Sequence, residues 1–143
     1  MTTQRYTVDS LKQLAQALFV AAGMEDGKAQ SVAEVLVTGD MVGQRTHGMA
    51  LCPPYLEQIE KGLMAKNGEP EVVRDSGAVF VWDGNYLPGP WLASRAIDLA
   101  AARVAQHGVV TGVIRRSHHI ACLTSLIKQA TDRGLAVILA SSD

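Results

Sequence analysis

At 143 residues the chain is the size of one ordinary domain and is long enough to bury a core. Apolar residues make up 48% of it and charged residues 19%, a balance that excludes a disordered chain. Thirteen basic residues against fourteen acidic ones leave a net charge of −1, which provides no electrostatic footprint for nucleic acid or an anionic membrane.

Met1-Thr2-Thr3-Gln4-Arg5-Tyr6 runs directly into a helical pattern, so no secretory leader is expected. The longest apolar runs fall far short of the roughly 20 residues that span a bilayer. Cys52 and Cys122 show neither metal-ligand spacing nor disulfide density and read as two buried thiols in a reducing compartment. A soluble, cytoplasmic protein is expected.

In chain order, Val8, Leu11, Leu14, Ala15, Leu18, Phe19 and Ala22 recur at steps of three and four, with Gly23 placed to end the helix. A second helix starts near Asp26, a plausible N-cap, turns Val32, Val35 and Leu36 inward, and reaches the neighbourhood of Gly43. Pro53 and Pro54 fit the first turn of a third, which carries Tyr55, Leu56 and Ile59 and closes at Gly62. After Asn67-Gly68-Glu69-Pro70 the composition changes. Glu71–Arg74 and Ala78–Trp82 read as strands joined by hairpin chemistry at Asp75-Ser76-Gly77. A Gly/Pro loop precedes a helix from Trp91 to about Gln106, which carries His107 as a cationic C-terminal residue beside Gly108. Trp82 and Trp91, on either side of the loop, read as packing residues.

Val109–Ile114, a polar loop, a helical pattern ending at Gly134, and Leu135–Ala140 then form a strand–helix–strand unit with parallel strands. Its loop Arg115-Arg116-Ser117-His118-His119 falls at a strand's carboxyl end, where open α/β sheets gather ligand chemistry. Leu135–Ala140 has no alternation and reads as a strand buried on both faces. Leaving it half exposed costs ~1.5–3 kcal/mol per large side chain. Either another chain covers it, or the sequence is the front part of a longer protein; the abrupt ending favours the second.

Two histidine segments can carry chemistry. Thr46-His47-Gly48 sets a hydroxyl beside an imidazole, a pair suited to proton relay, though the same residues also fit an ordinary helix C-cap. The second is His118-His119. Adjacent imidazoles in a loop rarely ligate one metal, and no nearby carboxylate or cysteine completes a set, so no metal is expected. Ser117 is positioned to cap the following helix, whose N–H groups would then favour an anion such as a cofactor phosphate. Arg45, Arg115 and Arg116 can pair with a substrate carboxylate or remain solvated loop charges. No glycine-rich dinucleotide or P-loop motif is present.

With these residues in place, the chain resembles the malate/L-lactate dehydrogenase family that is distinct from the Rossmann dehydrogenases. The likeness runs through three opening helices, Thr46-His47-Gly48 with Tyr55 and Gly62, the Asp83-Gly84-Asn85 turn, Ser117-His118-His119 before a helix, and the terminal Ser141-Ser142-Asp143. It implies an α/β fold: a helical N-terminal segment (1–68), then a β-hairpin and the beginning of an α/β sheet with a parallel βαβ unit (69–143), the remainder absent. It also implies an NAD- or NADP-dependent oxidoreductase that moves hydride to or from a small 2-hydroxy/2-oxo acid or cyclic imino acid, and a homodimer. By the same resemblance His119 is the acid/base, Thr46 and His47 assist, and His119, Ile120, Ala121, Ser142 and Asp143 belong to the cofactor site. Arg45 and Arg116 are the candidate substrate-binding residues, because Leu51 stands where the family has a carboxylate-binding arginine. Thr46 replaces a serine, and Asp143 brings an unfavourable charge to the place of another serine. The alternative is a truncated, inactive paralogue serving as a subunit or binding module. The 143 residues alone are expected to have little or no dehydrogenase activity.

Overall fold

In the computed structural model the described residues are 5–142. Helix α1 (Val8–Ala21) starts at Thr7, whose hydroxyl accepts the Ser10 N–H at 3.2 Å, and buries Ala15 and Phe19. Helix α2 (Asp26–Met41) packs against it through Ala29, Val32, Ala33 and Leu36; Asp26 is its first helical residue and Glu25 the cap. Two short 3-10 turns, Arg45–His47 and Met49–Leu51, lead into α3 (Cys52–Glu60), which has its prolines in the first turn.

Strands β1 (Glu71–Asp75) and β2 (Val79–Asp83) form the expected antiparallel hairpin, with a bulge between Val72 and Arg74. Helix α4 (Gly89–His107) begins two residues before Trp91, and Pro88 occupies its cap position. His107 lies in its last turn, and both tryptophans are buried, with Lys28 and Arg95 lying over the Trp91 ring. Strand β3 (Thr111–Arg115) pairs parallel with β2, giving the sheet order β1-β2-β3. The chain therefore contains its parallel βαβ unit, and it is β2–α4–β3. Helix α5 (Leu123–Thr131) follows.

One expected strand is not realised. Residues 135–140 belong to no ladder among the described residues. Leu135, Val137 and Leu139 pack on the core, while Ile138 is 98% exposed. Burial thus alternates, covering one side only. The physical reason is the lack of a neighbour: a cleft separates 137–142 from β3, so the backbone there has nothing to pair with. Ile114 and Ala140 nonetheless line the same cleft, so both segments deliver their ends to one side of the molecule.

A single apolar cluster joins the two parts of the chain, running from Ala15, Phe19 and Leu36 through Tyr55 and Met64 to Ile97, Leu126 and Ala130. Among the described residues no helix is long and apolar enough to cross a membrane.

Candidate active site

The loop after β3 is held from below by a buried carboxylate. Asp83, fully buried at the end of β2, stands opposite Arg115 in the parallel register. Arg115 Nε donates to Asp83 Oδ2 at 2.9 Å, and Arg116 Nε donates to both oxygens at 2.8 Å. The Asn85 N–H adds a bond to Oδ1 at 3.1 Å, and the second Arg116 nitrogen reaches the Asn85 side chain at 3.0 Å. The Arg116 guanidinium above all holds the Asp83 carboxyl down to about 2, against the opposing effect of burial. Arg116 itself has φ +49°, a left-handed conformation that this clamp sustains. Arg115 and Arg116 thus border the cleft while spending donors on Asp83.

Backbone contacts complete the seat. The Gly84 and Tyr86 N–H groups donate to the Arg115 and Arg116 carbonyls at 2.8 and 2.7 Å, and the His118 N–H donates to Leu87 O at 3.1 Å. At the start of α4 a Cβ on Gly89 would overlap the His118 and His119 carbonyl oxygens, so only glycine lets the helix approach this closely. Ser117 does not cap the following helix. Its hydroxyl donates to His118 O at 2.7 Å, and α5 begins six residues later with Cys122 as its cap and no side-chain cap bond. The intervening chain is bent by Ala121, at φ +57°.

His118 and His119 lie on the wall of a cleft of about 720 Å3, together with Ile120, Ser142 and apolar residues of α4 and of 137–139. His118 is half-buried, and its Nδ1 has no hydrogen-bond partner; burial, and next the neighbouring His119, push its pKa below the ordinary histidine value. His119 meets Tyr55 of α3, whose hydroxyl oxygen lies 2.7 Å from its Nδ1 and 3.0 Å from its carbonyl oxygen. The Ala121 N–H also points at Nδ1, at 3.3 Å. Burial pushes the Tyr55 phenol well above its ordinary value, so it stays a neutral hydroxyl.

The Thr46-His47-Gly48 segment reaches the same place from the helical side. It is no helix C-cap: α2 ends at Met41, and Thr46 and His47 occupy the separate 3-10 turn. Thr46 Oγ1 is 3.0 Å from His47 Nδ1, and the His47 ring stacks on that of His119 with centroids 5.9 Å apart. Asp40 braces the turn by accepting the Met49 N–H at 3.2 Å, and a Cβ on Gly48 would overlap its carboxylate. Arg45 is exposed on this turn and is not part of the cleft wall. Leu51 packs against the core. Ala121 is buried beside the site, and Asp143 lies outside the described residues.

The structure brings Thr46, His47 and His119, the candidates named from the sequence, to one place; Tyr55 and Asp83, which hold that place together, were not among the candidate site residues. An acidic residue at a strand end, opposite two consecutive arginines at the end of the next, was the available signal for Asp83. For Tyr55 the only signal was its place in the family likeness, and nothing tied it to His119, 64 positions away.

The family model for malate/L-lactate dehydrogenase matches residues 6–143. The chain belongs to the malate/L-lactate dehydrogenase family. Curated proteins similar to it include hydroxycarboxylate dehydrogenase B of Escherichia coli O157:H7 and L-lactate dehydrogenase of Cupriavidus necator. Each is 28% identical over 134 residues, which is 94% of this chain. Among solved structures, Δ1-piperideine-2-carboxylate reductase of Pseudomonas syringae superposes with a TM-score of 0.84 at 25% identity, covering 92% of this chain and 40% of that one. The chain spans 37% and 38% of the length of the two curated relatives.

Proposed function

We propose that this chain supplies the acid–base side of an NAD(P)-dependent oxidoreductase acting on a small 2-hydroxy/2-oxo acid or cyclic imino acid. The observation that carries the reading is the meeting of His119, on the cleft wall, with His47 and Thr46 from a distant turn. Converging imidazoles and a hydroxyl at a cleft suit proton transfer to and from a carbonyl oxygen or imine nitrogen.

The residues present fit a nicotinamide. The cleft, at about 720 Å3, is within the range of ligand sites, its wall is apolar along Ala93, Ile97 and Val137, and the buried His118 Nδ1 is a polar atom with no partner. His119, Ile120 and Ser142 on this wall would hold the group, and Ala121 shapes the bend behind them. When bound, a nicotinamide exchanges hydride with the substrate carbon. The chain's own part is the proton: His119 donates it to the substrate heteroatom in reduction and takes it in oxidation. Thr46 and His47 orient the substrate and buffer that proton, and the outward sides of Arg116 and Arg45 attract its carboxylate. A homodimer is part of the reading, supported by the uncovered apolar positions Val79 and Val113 on the sheet.

The test is nicotinamide-linked turnover of a panel of 2-oxo acids and cyclic imines, with NADH and NADPH compared. It uses the longest protein encoded by the reading frame containing these residues. Turnover that His119→Ala abolishes is the expected result; turnover that it leaves intact removes His119 from its role. The position of Leu51 favours a second reading, an inactive paralogue serving as a subunit, because this side chain is committed to the core and offers no carboxylate contact. A stop codon immediately after Asp143, with no turnover on any substrate, is the result that would support it.

A further inference from the structure

We infer that Gln44 is a positioning residue: its side chain ties the turn that carries Thr46 and His47 to the start of α5, and so holds the His47 ring against that of His119. The inference rests on the acid–base reading given above and adds the contact that keeps its two sides together.

Gln44 caps the 3-10 turn Arg45–His47, and its backbone carbonyl accepts the His47 N–H at 2.9 Å. Its own N–H donates to Gly39 O at 2.9 Å, which seats the turn on the last part of α2. The side-chain amide serves a different part of the chain. Its Oε1 accepts the Cys122 thiol at 3.0 Å, and its Nε2 donates to Thr124 Oγ1 at 3.1 Å. Cys122 is the cap of α5 and follows His119 by three positions, and Thr124 lies in the first turn of that helix. One residue therefore bonds to His47 through its backbone and to the chain just beyond His119 through its amide.

The turn has little else to hold it. Gln44 through His47 are all exposed, so apolar burial contributes little to its placement. Both imidazoles are exposed as well, and a stack with centroids 5.9 Å apart is too weak to set its own geometry. Their apposition depends on the segments that carry them. Those segments meet closely at Gly39, where a Cβ would lie 2.9 Å from His47 O and 3.2 Å from the Cys122 Cβ. Only glycine lets α2, the turn and the cap of α5 share this point, and the Gln44 amide is the polar bond across it. The Cys122 thiol is fully buried, so its bond to Gln44 is shielded from water.

The experiment compares wild type, Gln44→Met and Gln44→Glu in the full 143-residue chain. Methionine keeps the length of the side chain and loses both bonds. Glutamate keeps two acceptor oxygens, to which the thiol and the Thr124 hydroxyl can each donate. Two quantities are measured: cross-relaxation between carbon-bound protons of the His47 and His119 rings, and the rate at which a thiol reagent labels Cys122. Cys52, the other buried thiol, is the reference for global opening. Gln44→Met is expected to cut the ring cross-peak to about half or less and to speed Cys122 labelling about fivefold, the weight of one ordinary hydrogen bond. Gln44→Glu is expected to stay near wild type in both. An unchanged cross-peak in Gln44→Met overturns the inference, as does equal loss in the two variants or equal acceleration at both cysteines. If Gln44→Met does not fold, Thr124→Val removes one bond from the other end and decides by the same measures. Absence of nicotinamide turnover, with the rings still separated by Gln44→Met, counts against the oxidoreductase reading and not against this one.

Discussion

Asp83 shows how one buried side chain can organise a site it does not enter. It collects bonds from Arg115, Arg116 and the Asn85 backbone, and so fixes the start of the loop that ends in His119. Its carboxyl lies at about 2, below the ordinary 3.8, so the folded state binds this proton less readily than the unfolded one. The stability it contributes is therefore complete above about pH 4 and is lost as the pH falls toward 2. Urea denaturation across that interval should show a steep acid decline in the wild type, and Asp83→Asn should lose that part of the slope while being less stable at neutral pH. A slope of equal steepness in the variant would mean other carboxylates carry the effect. His118 works in the same direction at milder pH: its value is lowered, so protonation of the unfolded chain weakens the fold as the pH drops below neutrality. Of these residues, the loop histidines were legible in the sequence because polar groups at a strand end are conspicuous. Tyr55 was not, because an aromatic residue at helical spacing looks like core, and part of it is core.

At the scale of elements, local signals carried most of the fold. Thr7, the α3 prolines, Gly23, Gly62 and Gly108 bound their helices through capping and turn chemistry that needs no tertiary context. Leu135–Ala140 lacked such protection from error. Its composition is that of a buried strand, yet pairing is a property of the neighbour, and among the described residues none pairs with it across the cleft from β3. Hydrogen exchange separates the two kinds of segment: amides of Val81 and Val113, in β2 and β3, should be protected, and those of 136–140 should exchange rapidly. Comparable protection in both would show that 136–140 pairs in solution. The start of α5 was misplaced for a related reason, since Ser117 bonds the adjacent carbonyl and not a helix.

Across the whole molecule, the apolar cluster ties the chain that follows β3 to the opening helices. Leu126 of α5 is fully buried in it, with Phe19 and Leu36 among its members. Leu126→Ala should cost ~2–5 kcal/mol in urea denaturation, through lost burial and the cavity left behind. A cost below about 1 kcal/mol would place α5 outside the cooperative core. The same cluster explains why two histidines far apart in sequence can meet: Tyr55 belongs to the core and to the site at once, so packing of α3 sets the position of His119. Family membership and the α/β pattern were readable from motifs in order along the chain. The clamp and the cleft were not, because both arise only when β2, β3 and α4 are assembled.

The most direct test of the central claim, that His119 handles the proton, is single-turnover hydride transfer to a 2-oxo acid by wild type and His119→Gln, with nucleotide affinity measured in parallel. The account predicts a fall of about 10²–10⁴ in the transfer rate with nucleotide binding little changed. A His119→Gln protein that transfers hydride at the wild-type rate would contradict it.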